Sequence, residues 1–212
     1  MAAIEIGLVT KPFIVLLFLG LGIGLGLSTA FLAPEPDADQ TIEWLDNPRY
    51  LSPFTLESEA GQFDNQSLMG QWTIVIFGFL NCPDFCPTSL SQLASIADGL
   101  VEKSVDQEVR YVFVSVDPER DSVVEVRQYV SHFGESIRGV TGTAEQLSRF
   151  AGDLGSQYRV TADDDDYTVA HSITFSIIDP NGEFRGRFWP GFKLRNLVEN
   201  LTAKLLGDRV ST

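Results

Sequence analysis

Basic residues are scarce in this chain of 212 residues, which carries 15 lysines and arginines against 29 aspartates and glutamates. The resulting net charge of -14 argues against a nucleic-acid partner, because nucleic-acid-binding proteins need a basic surface. It permits docking to a basic protein surface. Hydrophobic residues make up 44% of the chain, as in ordinary globular proteins, and the length predicts one domain with additional segments.

Charged residues are absent between Pro12 and Pro34, where the sequence reads PFIVLLFLGLGIGLGLSTAFLAP. About 20 apolar residues are enough to span a bilayer as a helix, so residues 12–33 are predicted to form a transmembrane anchor. Lys11 precedes this run and acidic residues follow it. This distribution favours a short cytoplasmic N-terminus, residues 1–11, and an exported C-terminal domain.

A cleaved signal peptide is the alternative interpretation of the same run. Ser28-Thr29-Ala30 resembles the small-residue site at which signal peptides are cut. The run is longer than the usual apolar core of a signal peptide, about 7–15 residues, so we favour a retained anchor. Residues 34–48 are interpreted as an acidic linker, and residues 49–208 as the globular domain.

Alternating strand and helix patterns predict an α/β sandwich with a mixed sheet. Short β-rich apolar runs predict buried strands, and apolar residues at helical spacing predict amphipathic helices. Asp121 is expected to cap the helix that follows the second strand. In chain order, the predicted elements are strand 72–79, a helix led by Pro87, strand 109–116, helix 123–130, helix 144–154, strand 173–178, its hairpin partner 183–189 and helix 194–206.

The chain has two cysteines, Cys82 and Cys86, and no other thiol. They lie between the end of a predicted buried strand and the start of a helix, where open α/β sheets form their sites. The positive end of the helix is expected to stabilise a thiolate at Cys86. A structural disulfide would close a very small loop here and stabilise the fold little. A redox-active disulfide between the two residues and a soft-metal site remain open.

Histidines are equally few, which limits the nitrogen ligands that a metal site could use. His132 lies late in a predicted helix and is interpreted as an ordinary helix-end residue. His171 lies directly before a predicted strand, in DYTVAHSITFSIID. Two thiolates suit Cu(I) and an added imidazole also suits Cu(II), so the residue types permit a copper site without deciding for one.

Four segments carry a family resemblance, in this order along the chain: CPDFCPTSL, VSVDPERD, GVTGT and DYTVAHSITFSIIDPNGEF. Together they resemble the Sco (SenC) family of copper proteins over residues 53–206. The resemblance implies a thioredoxin-like fold and one copper ion, Cu(I) or Cu(II), bound by Cys82, Cys86 and His171. It further implies a copper chaperone, not an enzyme, that helps to build the dinuclear copper centre of cytochrome c oxidase subunit II.

The resemblance also implies where the protein works and with which partners. We expect a single-pass protein of a bacterial cytoplasmic (inner) membrane, with its C-terminal domain in the periplasm. Expected partners are cytochrome c oxidase subunit II, other periplasmic copper chaperones and thioredoxin-like reductants. The alternative function is a thiol–disulfide reductase that keeps the cysteines of subunit II reduced, by exchange through a Cys82–Cys86 disulfide.

Two departures from redox thioredoxins bear on this alternative. The two cysteines are separated by three residues, where redox thioredoxins use a CxxC motif. The segment AHSITF lacks the cis-proline that thioredoxins place opposite their cysteines, and His171 occupies that neighbourhood instead. Both changes favour a metal site over a pure dithiol exchanger. Ala170 stands where an aspartate is often found in the family, so no carboxylate is expected beside His171.

Overall fold

The structure is a computed structural model that describes residues 42–163 and 166–209. Within these ranges the chain forms ten strands and four α-helices. The strands are β1 Glu43–Tyr50, β2 Thr55–Ser58, β3 Gly61–Asp64, β4 Trp72–Gly78, β5 Val109–Ser115, β6 Ile137–Val140, β7 Tyr158–Asp163, β8 Asp166–His171, β9 Phe175–Ile178 and β10 Glu183–Phe188. The helices are α1 Phe85–Glu102, α2 Val123–Ser131, α3 Ala144–Asp153 and α4 Leu194–Arg209.

A six-stranded sheet with the order β1-β10-β9-β4-β5-β6 forms the centre of the domain. β4, β5 and β6 run parallel, whereas β9, β10 and β1 each pair with their neighbour in the antiparallel direction. Parallel neighbours need a crossover connection, which α1 supplies between β4 and β5 and α2 between β5 and β6. The predicted α/β class with a mixed sheet is therefore confirmed.

Both faces of the sheet are buried, as the alternation along β4 shows. Ile74 and Ile76 belong to the core on one face, and Val75 and Phe77 belong to the core on the other. Successive side chains of a strand point to opposite faces, so a strand covered on both sides must be apolar throughout. The helix residues in these cores include Leu90, Leu93, Val126, Leu197 and Leu201 on the first face and Leu147 and Phe150 on the second.

Two short hairpins lie outside the six-stranded sheet. β2 pairs with β3, and β7 pairs with β8, each as a two-stranded antiparallel sheet. The β7–β8 hairpin connects α3 to β9, and His171 is the last residue of β8. At its base, the Ser172 amide donates to the Gln157 carbonyl at 2.8 Å, and the Gln157 amide donates to Ser172 Oγ at 3.1 Å. His171 therefore stands on a separate element from the cysteines.

Most of the predicted elements are present, with shifts at their ends. α1 begins at Phe85, two residues before Pro87, so Cys86 lies inside its first turn. The strand predicted over residues 173–178 begins at Phe175, and the last helix continues to Arg209. The sequence did not predict β2, β3, β6, β7 or β8. Several of these have only four residues, which is too few to show a period.

Two predictions about local structure are wrong. β1 pairs with β10, so residues 43–48 belong to the sheet and not to an acidic linker. The cap of α2 is Ser122, whose side chain accepts from the Glu125 amide. Asp121 is instead buried. Its carboxylate accepts hydrogen bonds from the Leu80 amide and the Ser115 hydroxyl and does not cap the helix.

The predicted membrane anchor, residues 12–33, and the N-terminal segment before it lie outside the described residues. In the part of the chain that the structure describes, no helix combines the length and the hydropathy that a membrane span requires.

Candidate metal centre

The two cysteines lie just beyond the carboxyl end of β4, on the loop and first turn that lead into α1. Both are buried and both are free thiols. Gly78 is the last residue of β4, and a Cβ atom there would lie 2.7 Å from Cys86 Sγ and 2.6 Å from the Phe113 ring. Distances this short would force atoms to move. The glycine therefore leaves the space that the Cys86 sulfur occupies.

The start of α1 donates a hydrogen bond to Cys82 and not to Cys86. The backbone amide of Cys86 donates to Cys82 Sγ at 3.4 Å. Burial raises the pKa of the Cys86 thiol above its ordinary range, and a backbone hydrogen bond from Phe79 opposes this only in part. The prediction that the helix end stabilises a thiolate at Cys86 is therefore wrong for the metal-free site. Loss of solvent around this sulfur is the largest cause of the raised pKa.

His171 approaches the cysteines from the β7–β8 hairpin. Its Nε2 atom lies 3.7 Å from Cys86 Sγ, and its Nδ1 atom lies 3.1 Å from the carbonyl oxygen of Ser172. A carbonyl only accepts, so this bond favours the tautomer that carries its proton on Nδ1. Nε2 then keeps its lone pair on the side of the sulfurs. Phe79 packs edge-on against the imidazole, with 5.8 Å between ring centres, and restrains its plane.

Three donor atoms converge in this way. Cys82 Sγ, Cys86 Sγ and a ring nitrogen of His171 lie within 4.8 Å of one another. Burial lowers the pKa of His171, so the imidazole is neutral and able to ligate at neutral pH. Two soft sulfurs with one imidazole nitrogen form a donor set that suits copper. The two neighbouring thiols can also form and exchange a disulfide.

The segment Asp117–Asp121 borders the site, although its sequence, DPERD, indicated no chemical role. Asp121 Oδ2 accepts from the Leu80 amide at 2.9 Å and from the Ser115 hydroxyl at 2.5 Å. Leu80 lies two residues before Cys82, so this hydrogen bond restrains the loop that carries the cysteine. Burial raises the pKa of Asp121, while the two hydrogen bonds oppose that shift. The signal in the sequence was the run of charged residues in DPERD shortly after an apolar strand.

The remaining residues that the sequence singled out are not brought into the site. His132 ends α2, where its Nδ1 atom lies 2.7 Å from the Gln128 carbonyl oxygen, as expected of a helix-end histidine. Ala170 is exposed on β8. In contrast, sequence reasoning missed Gly78 and Phe79, because a glycine and an aromatic residue at the end of a buried strand are ordinary core features.

Comparison with known proteins agrees with this arrangement. The family model described as SCO1/SenC matches residues 43–206, which is most of the chain. The chain belongs to the SCO1/SenC family. A SCO2-like protein of Rickettsia felis is 32% identical over 171 residues, which cover 79% of this chain and 82% of the relative. SCO1 homolog 1 of Arabidopsis thaliana mitochondria is 41% identical over 134 residues, which cover 62% of this chain and 40% of that relative.

The fold is also that of solved SCO1/SenC proteins. The crystal structure of Arabidopsis thaliana ScoI with copper bound matches with a TM-score of 0.67 at 36% identity. The match covers 74% of this chain and 98% of the ScoI chain. The resemblance read from the sequence motifs is thereby confirmed, together with the thioredoxin-like α/β fold that it implied.

Proposed function

We propose that this chain binds one copper ion through Cys82, Cys86 and His171 and acts as a copper chaperone in the assembly of cytochrome c oxidase. The observation that carries the proposal is the convergence of two sulfurs and one imidazole nitrogen within 4.8 Å. The nitrogen comes from a separate hairpin, and a plain dithiol does not need it. Membership of the SCO1/SenC family and the copper bound to the related ScoI protein support the choice of metal.

Copper uptake requires the thiols to lose their protons, because thiolates are the metal-binding form. The raised pKa of Cys86 means that copper must displace a firmly held proton, so uptake releases that proton to solvent. His171 needs no such step, since Nε2 carries no proton in the tautomer that the Ser172 carbonyl favours. Two thiolates around Cu(I) leave one net negative charge on the site.

Release to a partner follows from the same donor set. Cu(I) is stable between two thiolates, so a thiolate of the partner can replace the imidazole first and then each sulfur in turn. Each sulfur that leaves the metal regains a proton, which the buried position of Cys86 favours. This exchange is ligand substitution without net oxidation or reduction. It therefore calls for no catalytic residue.

The proposed receiver is the dinuclear copper centre of cytochrome c oxidase subunit II, as the family resemblance implies. Its cysteines would supply the incoming thiolates. Other periplasmic copper chaperones are proposed to load the site, and thioredoxin-like reductants to keep Cys82 and Cys86 reduced. The net charge of -14 suits docking to a basic surface on such partners.

A thiol–disulfide reductase is the second candidate function, and one observation favours it. The two sulfurs lie within 4.8 Å of each other and the Cys86 amide donates to Cys82 Sγ, so the cysteines lie side by side as disulfide exchange requires. Cys82 would attack a disulfide of subunit II and form a mixed disulfide, expelling one target thiolate. Cys86 would then attack Cys82, releasing the second target thiolate and leaving a Cys82–Cys86 disulfide. Only the chaperone function needs His171.

A transfer experiment separates the two functions. The purified full-length chain is reduced, loaded with Cu(I) and mixed with metal-free subunit II whose cysteines are already reduced, so no reductase step is required. We expect copper to move to subunit II, measured as the copper content of each protein after separation. Failure of this transfer, together with reduction of oxidised subunit II by the metal-free chain, would contradict the chaperone and favour the reductase.

We also propose that residues 12–33 hold the chain in the bacterial cytoplasmic membrane, with residues 1–11 in the cytoplasm and the globular domain, from β1 onward, in the periplasm. The length of the uncharged run supports this topology. Carbonate extraction of membranes and protease treatment of spheroplasts test it. We expect the chain to stay in the carbonate-resistant pellet and its C-terminal domain to be digested. Release into the soluble periplasmic fraction, with a new N-terminus near Phe31, would show a cleaved signal peptide instead.

A further inference from the structure

The three proposed copper ligands stand on two substructures that share no sheet. The cysteines follow β4 of the six-stranded sheet, whereas His171 ends β8 of the two-stranded β7–β8 sheet. A site that needs all three donor atoms together therefore depends on whatever fixes the hairpin relative to the cysteine loop. The Ser172–Gln157 hydrogen bonds close the base of the hairpin, but both of these residues belong to the hairpin's own ends.

One face of β8 is directed toward the cysteine side of the domain. Tyr167, Val169 and His171 alternate with two exposed residues, so they share this face. Val169 packs against Phe79 and the two cysteines. The far end of the same face carries Tyr167, four residues before the ligand histidine.

Tyr167 makes a close three-residue cluster with the loop after β5. Its hydroxyl donates to Asp117 Oδ1 at 2.5 Å, and Arg120 Nε donates to Asp117 Oδ2 at 2.6 Å. The Arg120 guanidinium carbon lies 3.7 Å above the centre of the Tyr167 ring, within the range of a cation–π contact. The Asp117 side chain is fully buried, so both of its oxygens need these partners. We call Asp117, Arg120 and Tyr167 the hairpin clamp.

The same loop also contacts the segment that leads to the cysteines. Asp121, at its other end, accepts the hydrogen bond of the Leu80 amide and so restrains the segment that leads to Cys82. The amide of Asp121 in turn donates to the Asp117 carbonyl at 2.9 Å, which makes the loop one hydrogen-bonded unit. A single five-residue segment therefore contacts both substructures that supply the donor atoms.

We infer that the hairpin clamp is a positioning device, which holds β8 against the Asp117–Asp121 loop and thereby keeps His171 Nε2 beside Cys86 Sγ. This inference rests on the proposed function, because it assigns a purpose to the position of a proposed copper ligand. The hairpin is joined to the rest of the chain at the end where His171 lies. A restraint at Tyr167 prevents the hairpin from pivoting about that end and carrying the imidazole away from the sulfurs.

Three variants of the full-length chain test the clamp. Tyr167→Leu removes both the aromatic ring that contacts Arg120 and the hydroxyl that donates to Asp117. Tyr167→Phe removes only the hydroxyl. Thr168→Ala, at an exposed neighbouring position of the same strand, is the matched control. For Tyr167→Leu we expect Cu(II) binding to weaken on the order of tenfold, as for loss of an outer partner of a metal ligand, with Cu(I) binding little changed. Tyr167→Phe should show a smaller loss, and Thr168→Ala none.

Two further measurements report on the position of His171 itself. Electron paramagnetic resonance of the Cu(II) form should show weakened or heterogeneous nitrogen coupling in Tyr167→Leu, which a general loss of stability would not produce. In the metal-free chain, amide hydrogen exchange of residues 167–171 should accelerate by about tenfold or more in Tyr167→Leu, while exchange in β4 and β5 stays unchanged.

The outcomes separate this inference from the proposed function. If His171→Ala weakens Cu(II) binding but Tyr167→Leu matches the wild type in affinity, nitrogen coupling and exchange, the clamp is refuted and the chaperone stands. If His171→Ala leaves Cu(II) binding unchanged, the proposed ligand set fails. The hydrogen-exchange result then decides by itself whether the loop holds the hairpin in place.

Discussion

His171→Ala is expected to weaken Cu(II) binding by at least about 100-fold. Loss of a residue that only supports a metal ligand costs about 10–100-fold, and loss of the ligand itself should cost at least as much. Much of the Cu(I) binding should remain. Both sulfurs are intact in this variant, and Cu(I) tolerates two thiolates, whereas Cu(II) prefers more ligands that include nitrogen. Competition titrations of the full-length chain against chelators of known Cu(I) and Cu(II) affinity measure both effects.

His132→Ala is the matched control, since it removes an imidazole at the end of α2 that does not reach the cysteines. We expect wild-type affinities for this variant. Oxidase assembly in cells that carry each variant extends the comparison to function. Normal Cu(II) binding and normal oxidase assembly in His171→Ala cells, with both cysteines intact, would contradict the chaperone and leave the reductase as the better assignment.

The His171 substitution should also remove one part of the pH dependence of copper retention. Burial lowers the pKa of His171 from its ordinary value of 6.5, so the ring stays neutral until the pH falls below that value. Protonation then occupies the lone pair of Nε2, and the wild type loses Cu(II) on the acid side of pH 6.5. The raised pKa of Cys86 means that copper uptake releases a proton. Copper affinity therefore rises with pH in both the wild type and His171→Ala.

The central strands could be predicted because both faces of the sheet are covered. β4 and β5 are short runs of mostly apolar residues, and such runs between turn residues indicate buried strands. β1 could not be predicted in this way. Its sequence, EWLDNPRY, is charged and mostly exposed, and only its pairing with β10 makes it a strand. The linker interpretation failed because an edge strand shares its composition with a loop.

The identity of the candidate ligands could be predicted, but their surroundings could not. The resemblance to the Sco (SenC) family, carried by four motifs in order, implied Cys82, Cys86 and His171 as the ligands. The protonation of Cys86 depends on how deeply the fold buries its sulfur, and sequence position at a helix start indicated the opposite direction. The contact between Tyr167 and Asp117 joins residues 50 positions apart, and no local sequence pattern indicates it.

Oxidation of Cys82 and Cys86 to a disulfide is expected to abolish copper binding. The disulfide removes both soft anionic donors in one step and leaves a single imidazole, which cannot hold the ion alone. Reduction of the same sample should restore binding, because the free thiols return to positions beside His171. A Cys82→Ser and Cys86→Ser double variant is the matched control, and it should fail to bind copper under either condition.

Copper content measured against thiol content, on one preparation of the full-length chain, tests the proposed ligand set most directly. Thiols are titrated and copper is quantified after unbound metal has been removed, before oxidation, after oxidation and after renewed reduction. We predict one copper per chain when both thiols are free, none in the disulfide form and one again after reduction. Equal copper content in the oxidised and reduced chains would contradict a site built on Cys82, Cys86 and His171.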